Sequence, residues 1–501
     1  MERGDERFEL VYHLLSLKTK NRLRIKVSLE ESKPEIDSLC SLWEGANFME
    51  REVYDMFGIK FNNHPNLKRI LMYDEFEGYP LRKDYPIQGK QPRDFGVGGV
   101  STHMKPKKLG DDLHSDSMIL NMGPAHPATH GTVRIVAELD GEKIIDADVE
   151  VGYLHRGFEK MCETVDYNQV MPYADRLNYV SPVINNVGWS LTAEKLLGIE
   201  VPKRAAYIRV ILSEISRISD HLTCLGAAAM ELGAFTVMLY MMQAREFLWE
   251  LLEDVTGARL TISYSRVGGV KEDLTSNFAE KMEIAFKEVK KQLDNSDRLL
   301  TRNRIFIDRM CDVGVISSEE AISYSLTGPL LRASGVDYDV RKATPYSCYE
   351  DFDFEVPLGT KGDNYDRFLV RFNEINESIK ICEQAIKNLP EGPIKVDDPR
   401  ISMVPKDETY SSIDGMINHF EMVFKGVEPP VGDTYLAVEG GTGELGFYAV
   451  SDGTGRPYRL HVRAPSFIHM GAIKKMLLGQ GISDVVPVFG MLNMIGGECD
   501  R

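Results

Sequence analysis

His126 and His130 are the residues of this chain best suited to chemistry, and they lie four positions apart in the stretch Gly-Pro-Ala-His-Pro-Ala-Thr-His-Gly that begins at Gly123. Proline fixes its own φ and restricts the residue before it, so Pro124 and Pro127 hold the loop stiff and set the positions of both imidazoles. Imidazole exchanges protons near neutral pH. The loop is therefore a candidate for acid-base chemistry, the alternative being that both rings only bond turn backbone.

Glu231 and Tyr179 are two further candidates for proton chemistry. Glu231 lies in the apolar stretch 222–242, where a carboxylate must pair with a cation or raise its pKa until it is neutral, unless it faces solvent at a helix edge. Because a charge there is costly in lipid, this stretch is predicted to be a buried helix or helix pair and not a membrane span. Tyr179 can donate a hydrogen bond to a carbonyl oxygen, the alternative being a half-buried core aromatic.

The elements that position these residues are predicted from apolar periodicity. Strand-like runs occur at 8–17 and 23–29, which are joined by 18–21 and suggest a hairpin, and at 133–139, 145–151, 435–438, 447–450 and 458–462. The pair around Asp140-Gly141 is a strong hairpin signal, directly after the histidine loop. Apolar residues spaced three and four apart over 208–222 and 368–389 predict core helices in the middle of the chain.

Composition excludes several classes of protein. The 501 residues, 43% of them hydrophobic, suffice for two or three packed domains, and a net charge of -17 makes nucleic acid an improbable partner. The seven cysteines are widely scattered without a CxxC pair, so we expect no metal bound by this chain alone. The GxGxxG pattern at 441–446 precedes a strand instead of a helix, which predicts a β-turn and not a dinucleotide site.

The histidine loop, together with Tyr-Leu-His-Arg-Gly-Phe-Glu-Lys at 153–160, closely resembles the quinone-binding, hydrogenase-derived D subunits of respiratory complex I. Further agreement lies in the blocks at 201–205, 332–343 and 463–467 and in the final Asp500-Arg501. Before the glycine-rich stretch 87–115, the blocks at 50–59 and 78–86 resemble C subunits of the same complex. The chain is thus similar to fused C/D subunits of NADH-quinone oxidoreductase, with a C-like domain at 1–86, a flexible linker at 87–115 and a D-like domain at 116–501.

The resemblance implies an α+β fold: a small N-terminal α/β domain, shorter than usual before Phe8, then a domain like the large subunit of nickel-iron hydrogenases, with a central helical bundle and small antiparallel sheets at both ends. It implies that the quinone head group binds between His130 and Tyr179. Glu231 stands where the family usually has an aspartate paired with that histidine. Thr261 stands where many members have a histidine that faces an iron-sulfur cluster.

Three arginines, Arg156, Arg176 and Arg463, match family arginines near the terminal four-iron four-sulfur cluster, which a neighbouring subunit holds. The implied partners are the cluster-bearing B subunit, the I subunit and the membrane-embedded H subunit, with NADH and FMN bound elsewhere in the complex. The implied activity is proton-translocating quinone reduction, with ubiquinone as a candidate substrate, at the cytoplasmic face of the inner (plasma) membrane. The chain is not expected to be active in isolation.

Two alternatives stay open besides this one, and a third, a nickel-iron hydrogenase, is disfavoured. A nickel-iron hydrogenase needs two CxxC pairs, which this chain lacks. A nickel-free structural scaffold would bury His130 and Tyr179 in packed core. The remaining alternative is a subunit of a related membrane-bound hydrogenase or of a quinone oxidoreductase that does not use NADH.

Overall fold

The N-terminal part of the computed structural model contains a hairpin, a helix and a short parallel strand pair; residues 7–89, 91, 117–129 and 131–501 are described. Strands β1 (Phe8–Leu15) and β2 (Arg22–Leu29) pair antiparallel, which confirms the first predicted hairpin. Helix α1 (Ala46–Phe57) lies in sequence between β3 (Glu35–Asp37) and β4 (Lys60–Asn62), which pair in parallel. Most of the predicted linker lies outside the described residues, so the boundaries at 86 and 116 stay predictions.

The first sheet of the larger part has three antiparallel strands, β5 (Met118–Met122), β6 (Arg134–Asp140) and β7 (Lys143–Glu150). The predicted hairpin is confirmed, with Gly141 in the left-handed region at a φ of 61°. Alternate side chains of β6 and β7 are buried in the main core. The histidine loop therefore joins two strands of one rigid sheet.

A bundle of long helices forms the middle of the chain, as the apolar stripes predict. Its members are α4 (Pro182–Leu197), α5 (Lys203–Glu231), α6 (Phe235–Thr256), α7 (Phe278–Leu300) and α12 (Asn364–Lys387). Ile208, Ile211 and Ile215 of the first predicted stripe are fully buried, and so are Ile375 and Ile379 of the second. The stripes therefore face the interior of the bundle, and α5 lies against both α6 and α12.

The apolar stretch 222–242 is a helix pair, because α5 ends at Glu231 and α6 begins at Phe235. Glu231 thus lies at a helix end and not in the middle of a continuous helix. Gly233, at a φ of 91°, allows the chain to turn between the two helices. Within the described ranges, none of the helices combines the length and the apolar character that a bilayer crossing requires.

The second antiparallel sheet, near the C-terminal end, consists of β10 (Gly432–Glu439), β11 (Glu444–Ser451) and β12 (Arg459–Arg463). All three predicted strands are confirmed. The GxGxxG stretch forms the β10–β11 turn and the start of β11, so it is a strand connection, as predicted. The mixture of a helical bundle with small antiparallel sheets confirms the α+β class.

Short elements complete the fold. They are α2 (Phe158–Cys162), α3 (Met171–Ala174), β8 (Ser265–Arg266), β9 (Gly269–Val270), α8 (Arg304–Met310), α9 (Ser318–Ser323), α10 (Gly328–Ala333), α11 (Val340–Ala343), α13 (Lys406–Ser411), α14 (Ile413–Phe424), α15 (Pro465–Leu477), α16 (Val485–Leu492) and α17 (Gly496–Cys499).

Ion pairs join the N-terminal part to the larger part. Arg22 of β2 donates to both oxygens of the buried Glu444 of β11, at 2.9 and 2.7 Å. Arg501 bonds to Glu52 of α1, and both side chains are buried. The two parts therefore share a charged and partly buried interface.

Candidate functional site

The histidine loop is held by its own backbone. Thr129 is fully buried, and its hydroxyl donates to the carbonyl oxygens of His126, at 2.9 Å, and of Gly131, at 3.1 Å. Residues Pro127–Thr129 form a single 3-10 turn. His126 is exposed, and His130 lies outside the described residues although both of its neighbours in sequence are described. The hydroxyl of Thr129 thus ties together the backbone on the two sides of the position that sequence analysis singled out.

This loop packs against α16 and the residues that follow it. The 3-10 turn contacts α16. At Gly131 an added Cβ would lie 3.3 Å from the terminal carbon of Met494. The preceding residue, Asn493, is in the left-handed region at a φ of 54°. The residues on both sides of position 130 therefore lie at the end of α16.

Asp220, which the sequence analysis missed, connects this region to Tyr179. The carboxylate is fully buried in α5 and accepts three hydrogen bonds, from Nδ2 of Asn178 at 2.8 Å, Oγ of Ser181 at 2.9 Å and Nδ2 of Asn493 at 2.8 Å. All three donors are neutral. Asp220 thus joins the segment that carries Tyr179 to the segment that borders the histidine loop.

Tyr179 is accessible. Its side chain is 39% exposed, so it is not part of the packed core. Partial burial, and then the negative charge of Asp220, raise the pKa of Tyr179 above its usual value. The phenol therefore keeps its proton at neutral pH and can serve as a hydrogen-bond donor.

Glu231 lies beside the same helix as the histidine loop. At Gly490 of α16 an added Cβ would lie 3.1 Å from Oε2 of Glu231, so the carboxylate rests against that helix. The side chain of Glu231 is partly buried, so it neither faces solvent fully nor is fully buried. The structure therefore gathers Glu231, the histidine loop and, through Asp220, Tyr179 around α16 and the residues that follow it.

A second buried carboxyl group, Glu498, lies close to Asp220. It accepts hydrogen bonds from Oγ1 of Thr442, at 3.0 Å, and from the backbone N–H and hydroxyl of Ser466. Burial raises the pKa of Glu498 to about 7, and the charge of Asp220 adds to the increase. Gly441, which precedes Thr442, lies against Asp220, since an added Cβ there would be 2.2 Å from Oδ2 of Asp220. Glu498 is thus a proton-binding group near neutral pH.

A third such group precedes Tyr179 by four residues. Asp175 is fully buried and accepts hydrogen bonds from Asn186 and from the backbone N–H of Ser263. Burial raises the pKa of Asp175 to about 6. Asp220 and Glu498 had no local sequence signal, because their partners are distant in sequence, whereas Asp175 lies in the stretch 173–179, in which a phenol, a carboxylate and a guanidinium are close together.

The family of the chain is established by comparison with known proteins. A family model described as the 49 Kd subunit of respiratory-chain NADH dehydrogenase matches residues 231–501, and the model of the 30 Kd subunit matches residues 1–91. The C/D subunit of the NADH-quinone oxidoreductase of Bdellovibrio bacteriovorus is 45% identical over 497 residues, which cover 99% of this chain and 88% of that protein. The chain belongs to the family of fused C/D subunits of NADH-quinone oxidoreductase.

Relatives of the D type agree with this assignment. The D 1 subunit of Sorangium cellulosum is 54% identical over 391 residues, 78% of this chain and 97% of that protein. The D subunit of Myxococcus xanthus is 50% identical over 394 residues, 79% of this chain and 95% of that protein. The C/D chain is therefore a subunit of complex I, which has quinone as its substrate, and its partners are other subunits of that complex.

Two of the three predicted cluster arginines of the C/D chain lie together. Arg156 donates to the carbonyl oxygen of Tyr173 at 3.1 Å, and Arg176 donates to that of Pro172 at 2.7 Å, so both guanidinium groups reach the backbone of α3. Both side chains are exposed. They are thus accessible to a partner.

Arg463 and Thr261 have different surroundings. The guanidinium of Arg463 donates to the hydroxyl of Thr327 and to the backbone carbonyls of Glu444 and Ser325, so it holds β11 and β12 against the segment before α10. Thr261 is partly buried at a φ of 47°, in a left-handed conformation that is rare for a β-branched residue. Arg463 is thus an internal anchor in this chain.

Two groups of side chains within the described ranges come close enough together to suggest metal ligands, Cys40 with Glu50 and His64, and Glu52 with Glu159 and His461. Both ring nitrogens of His64 are already bonded, to the backbone of Asn47 and Asn66. In the second group Glu159 is paired with Arg459 and lies 3.5 Å from Arg501. Each group is thus organised as a hydrogen-bonded or ionic cluster.

Proposed function

We propose that the C/D chain forms the quinone-reduction site of complex I, with the quinone head group held between His130 and Tyr179. The observation that supports this proposal is the accessible phenol of Tyr179, whose neighbour Asn178 is joined through Asp220 and Asn493 to the segment that borders the histidine loop. Tyr179 and position 130 are 49 residues apart in sequence. In this proposal the hydrogen bonds of Asp220 bring the two segments together, which local sequence does not predict.

The residues of the chain suit the chemistry of this reaction. Reduction of a quinone consumes two electrons and two protons, and donors directed at the carbonyl oxygens stabilise the negative charge that develops there. Tyr179 is kept protonated by its raised pKa, so it can donate to one carbonyl. Glu498 and Asp175 can exchange protons near neutral pH in the same region, and Glu231 takes the place of the partner of His130 in this proposal.

The electrons come, in this proposal, from a four-iron four-sulfur cluster in the B subunit. The exposed positive charges of Arg156 and Arg176 would favour the reduced, more negative state of that cluster. The I and H subunits complete the surroundings of the site. The complex translocates protons and reduces ubiquinone or a related quinone, and this chain acts as a peripheral subunit at the cytoplasmic face of the inner (plasma) membrane.

The substitution Tyr179→Phe in the assembled complex tests this proposal. It removes only the hydroxyl, so we expect quinone reductase activity to fall at least about tenfold while NADH oxidation by an artificial acceptor upstream of the site is unchanged. Tyr458→Phe is a matched control, because Tyr458 is 44% exposed and contacts Lys83 at the interface between the two parts. Unchanged quinone turnover in a fully assembled Tyr179 variant would show that this phenol has no role.

The alternatives make different predictions. A packed scaffold would bury Tyr179, whereas 39% of its side chain is exposed. For a hydrogenase-type chain, metal analysis of the purified protein would find nickel or stoichiometric iron. We expect neither metal, and the measurement is independent of quinone turnover.

A further inference from the structure

Helix α14 has its apolar side directed outward. At about 100° per residue, its six large apolar side chains fall within an arc of about 120°. These are Ile413, Met416, Ile417, Phe420, Val423 and Phe424, all between 49% and 74% exposed. On the opposite side only Gly415 and Met422 are buried. This is the reverse of an ordinary surface helix, which turns its apolar stripe toward the core.

The apolar face of α14 is also ordered in advance. Phe420 and Phe424 stack on each other with ring centroids 4.3 Å apart, although they are 59% and 72% exposed. The helix begins at a true cap, in which Oγ of Ser412 accepts from the backbone N–H of Gly415 at 2.9 Å. Ordered aromatic anchors lose little entropy on binding and often dominate the energy of an interface.

Acidic residues border the apolar face of α14. Asp414 and Glu421 lie along one flank of the helix, and Asp407 and Glu408 lie on the preceding helix α13, all of them exposed. Lys406 of α13 and Lys425, which is 3.0 Å from Glu421, offset only part of this charge. Such a border attracts basic groups and repels an anionic lipid surface. In a two-fold contact between copies of this chain, the same acidic flank would occur on both sides and add repulsion.

We propose that the apolar face of α14 is a docking surface for another subunit of complex I, one that presents apolar side chains bordered by lysine or arginine. The membership of the chain in a multi-subunit complex explains why such a face is tolerated, because exposed apolar patches of this kind mark interaction sites. This inference does not depend on the quinone site, since α14 contains none of the residues assigned to it.

A crosslinking experiment identifies the occupant. A photoreactive amino acid at position 420 of the assembled complex is expected to form an adduct with a different polypeptide of the complex, at a peptide flanked by lysine or arginine. An adduct with lipid, with a second copy of this chain, or no adduct at all would overturn the proposal. The same reagent at position 305 is the control, because Ile305 is an isolated apolar residue that is 73% exposed on α8.

Substitution tests the energy of the contact. The double variant Phe420→Asp, Phe424→Asp is expected to lower the fraction of this chain found in the complex at least about tenfold, because both aromatic anchors are lost. The purified chain should unfold at an unchanged or higher temperature, since both residues are exposed on it. Ile305→Asp should leave assembly unchanged. Normal assembly of the double variant would contradict the proposal, and so would a loss of assembly explained by unfolding of the purified chain.

Charge reversal tests the chemistry of the partner. Asp414→Lys is expected to weaken assembly by several-fold at low salt, and added salt should reduce that effect because the Debye length falls below about 8 Å above physiological ionic strength. Asp397→Lys, at an exposed site outside α13 and α14, should have no such effect. Stronger assembly of Asp414→Lys would show that the partner surface is acidic and would overturn the assignment of a basic border.

Discussion

Buried carboxylates in the helical bundle and those around Tyr179 are held by opposite means. Guanidinium groups hold the acids of the bundle and of the adjoining strand β10: Arg332 donates to Glu374 at 2.7 Å and to Glu439 of β10 at 2.8 Å, and Arg341 donates to Glu214 at 3.1 Å, all with side chains that are essentially fully buried. Around Tyr179, in contrast, amide, hydroxyl and backbone N–H groups supply the hydrogen bonds to Asp220, Glu498 and Asp175, and the nearest guanidinium, that of Arg176, lies 3.8 Å from Asp175.

This difference sets which acids can exchange protons. Burial alone would raise the pKa of Glu374, but the charge of Arg332 lowers it far below its usual range, so this carboxylate stays ionised. Glu439 is an exception, because burial and the nearby Asp339 raise its pKa. Near Tyr179, burial prevails and the pKa rises to about 7 for Glu498 and to about 6 for Asp175. Guanidinium partners thus fix the bundle, and neutral partners leave proton-binding capacity beside Tyr179.

The largest effect is expected from Arg332→Met, on helix α10, which packs against α12 of the bundle. This change leaves Glu374 and Glu439 buried without their shared guanidinium, which should lower the free energy of unfolding by about 3–5 kcal/mol or prevent the chain from accumulating. Urea unfolding of the purified chain measures it. The control is Arg400→Met, because Arg400 is 84% exposed in its pair with Asp398 and its loss should be undetectable. A small loss for Arg332→Met would show that His221, 2.8 Å from Glu374, suffices to hold that carboxylate.

Beside Tyr179, Glu498→Gln is expected to have the opposite effect and to raise the free energy of unfolding at high pH. With its pKa raised to about 7, Glu498 binds more protons in the folded chain than in the unfolded chain between about pH 4.5 and pH 7. The free energy of unfolding therefore falls as the pH rises through this window. The loss of stability reaches its full value above about pH 7. The variant should remove this slope, gaining about 3 kcal/mol relative to the parent at pH 8 and about 1 kcal/mol at pH 5.

Urea unfolding at pH 5 and pH 8 measures that difference. Glu391→Gln is the control, because Glu391 is exposed and its replacement should leave the pH dependence of the parent intact. If Glu498→Gln instead loses stability at high pH, the carboxylate must have a cationic partner in solution. The contrast between the two regions would then be wrong.

The comparison of the bundle with the surroundings of Tyr179 also shows which features could be predicted from the sequence. Both hairpins and the helical stripes followed from periodicity within short windows, because apolar burial repeats with the geometry of each element. The end of α5 at Glu231 did not follow from periodicity, because apolar residues continue on both sides of it and Gly233 alone marked the turn. Hydropathy measures the mean character of a window, so a break made by one glycine has little weight in it.

The site was predictable only in part. Tyr179 was identified through family resemblance, and its exposure agrees with a role in binding, whereas local sequence favoured a half-buried core aromatic. Asp220 was missed, because the partner Asn493 is 273 residues away in sequence. Neutral partners leave no charge pattern to detect. An acid held by amides and hydroxyls therefore becomes visible only once the fold has brought those groups together.

The smallest effect, and the sharpest test of the neutral-donor environment, is expected from Ser181→Ala. This change removes one of the three donors to Asp220 and should lower the free energy of unfolding by about 1 kcal/mol in urea unfolding, since the carboxylate keeps two neutral bonds. Ser219 is a matched control on α5: it is equally buried, but within the described part of the chain its hydroxyl has no hydrogen-bond partner. Ser219→Ala should be neutral or stabilising, because it removes a buried polar group that makes no bond. Equal losses for the two variants would mean that packing, and not the hydrogen bond to Asp220, accounts for the effect of Ser181.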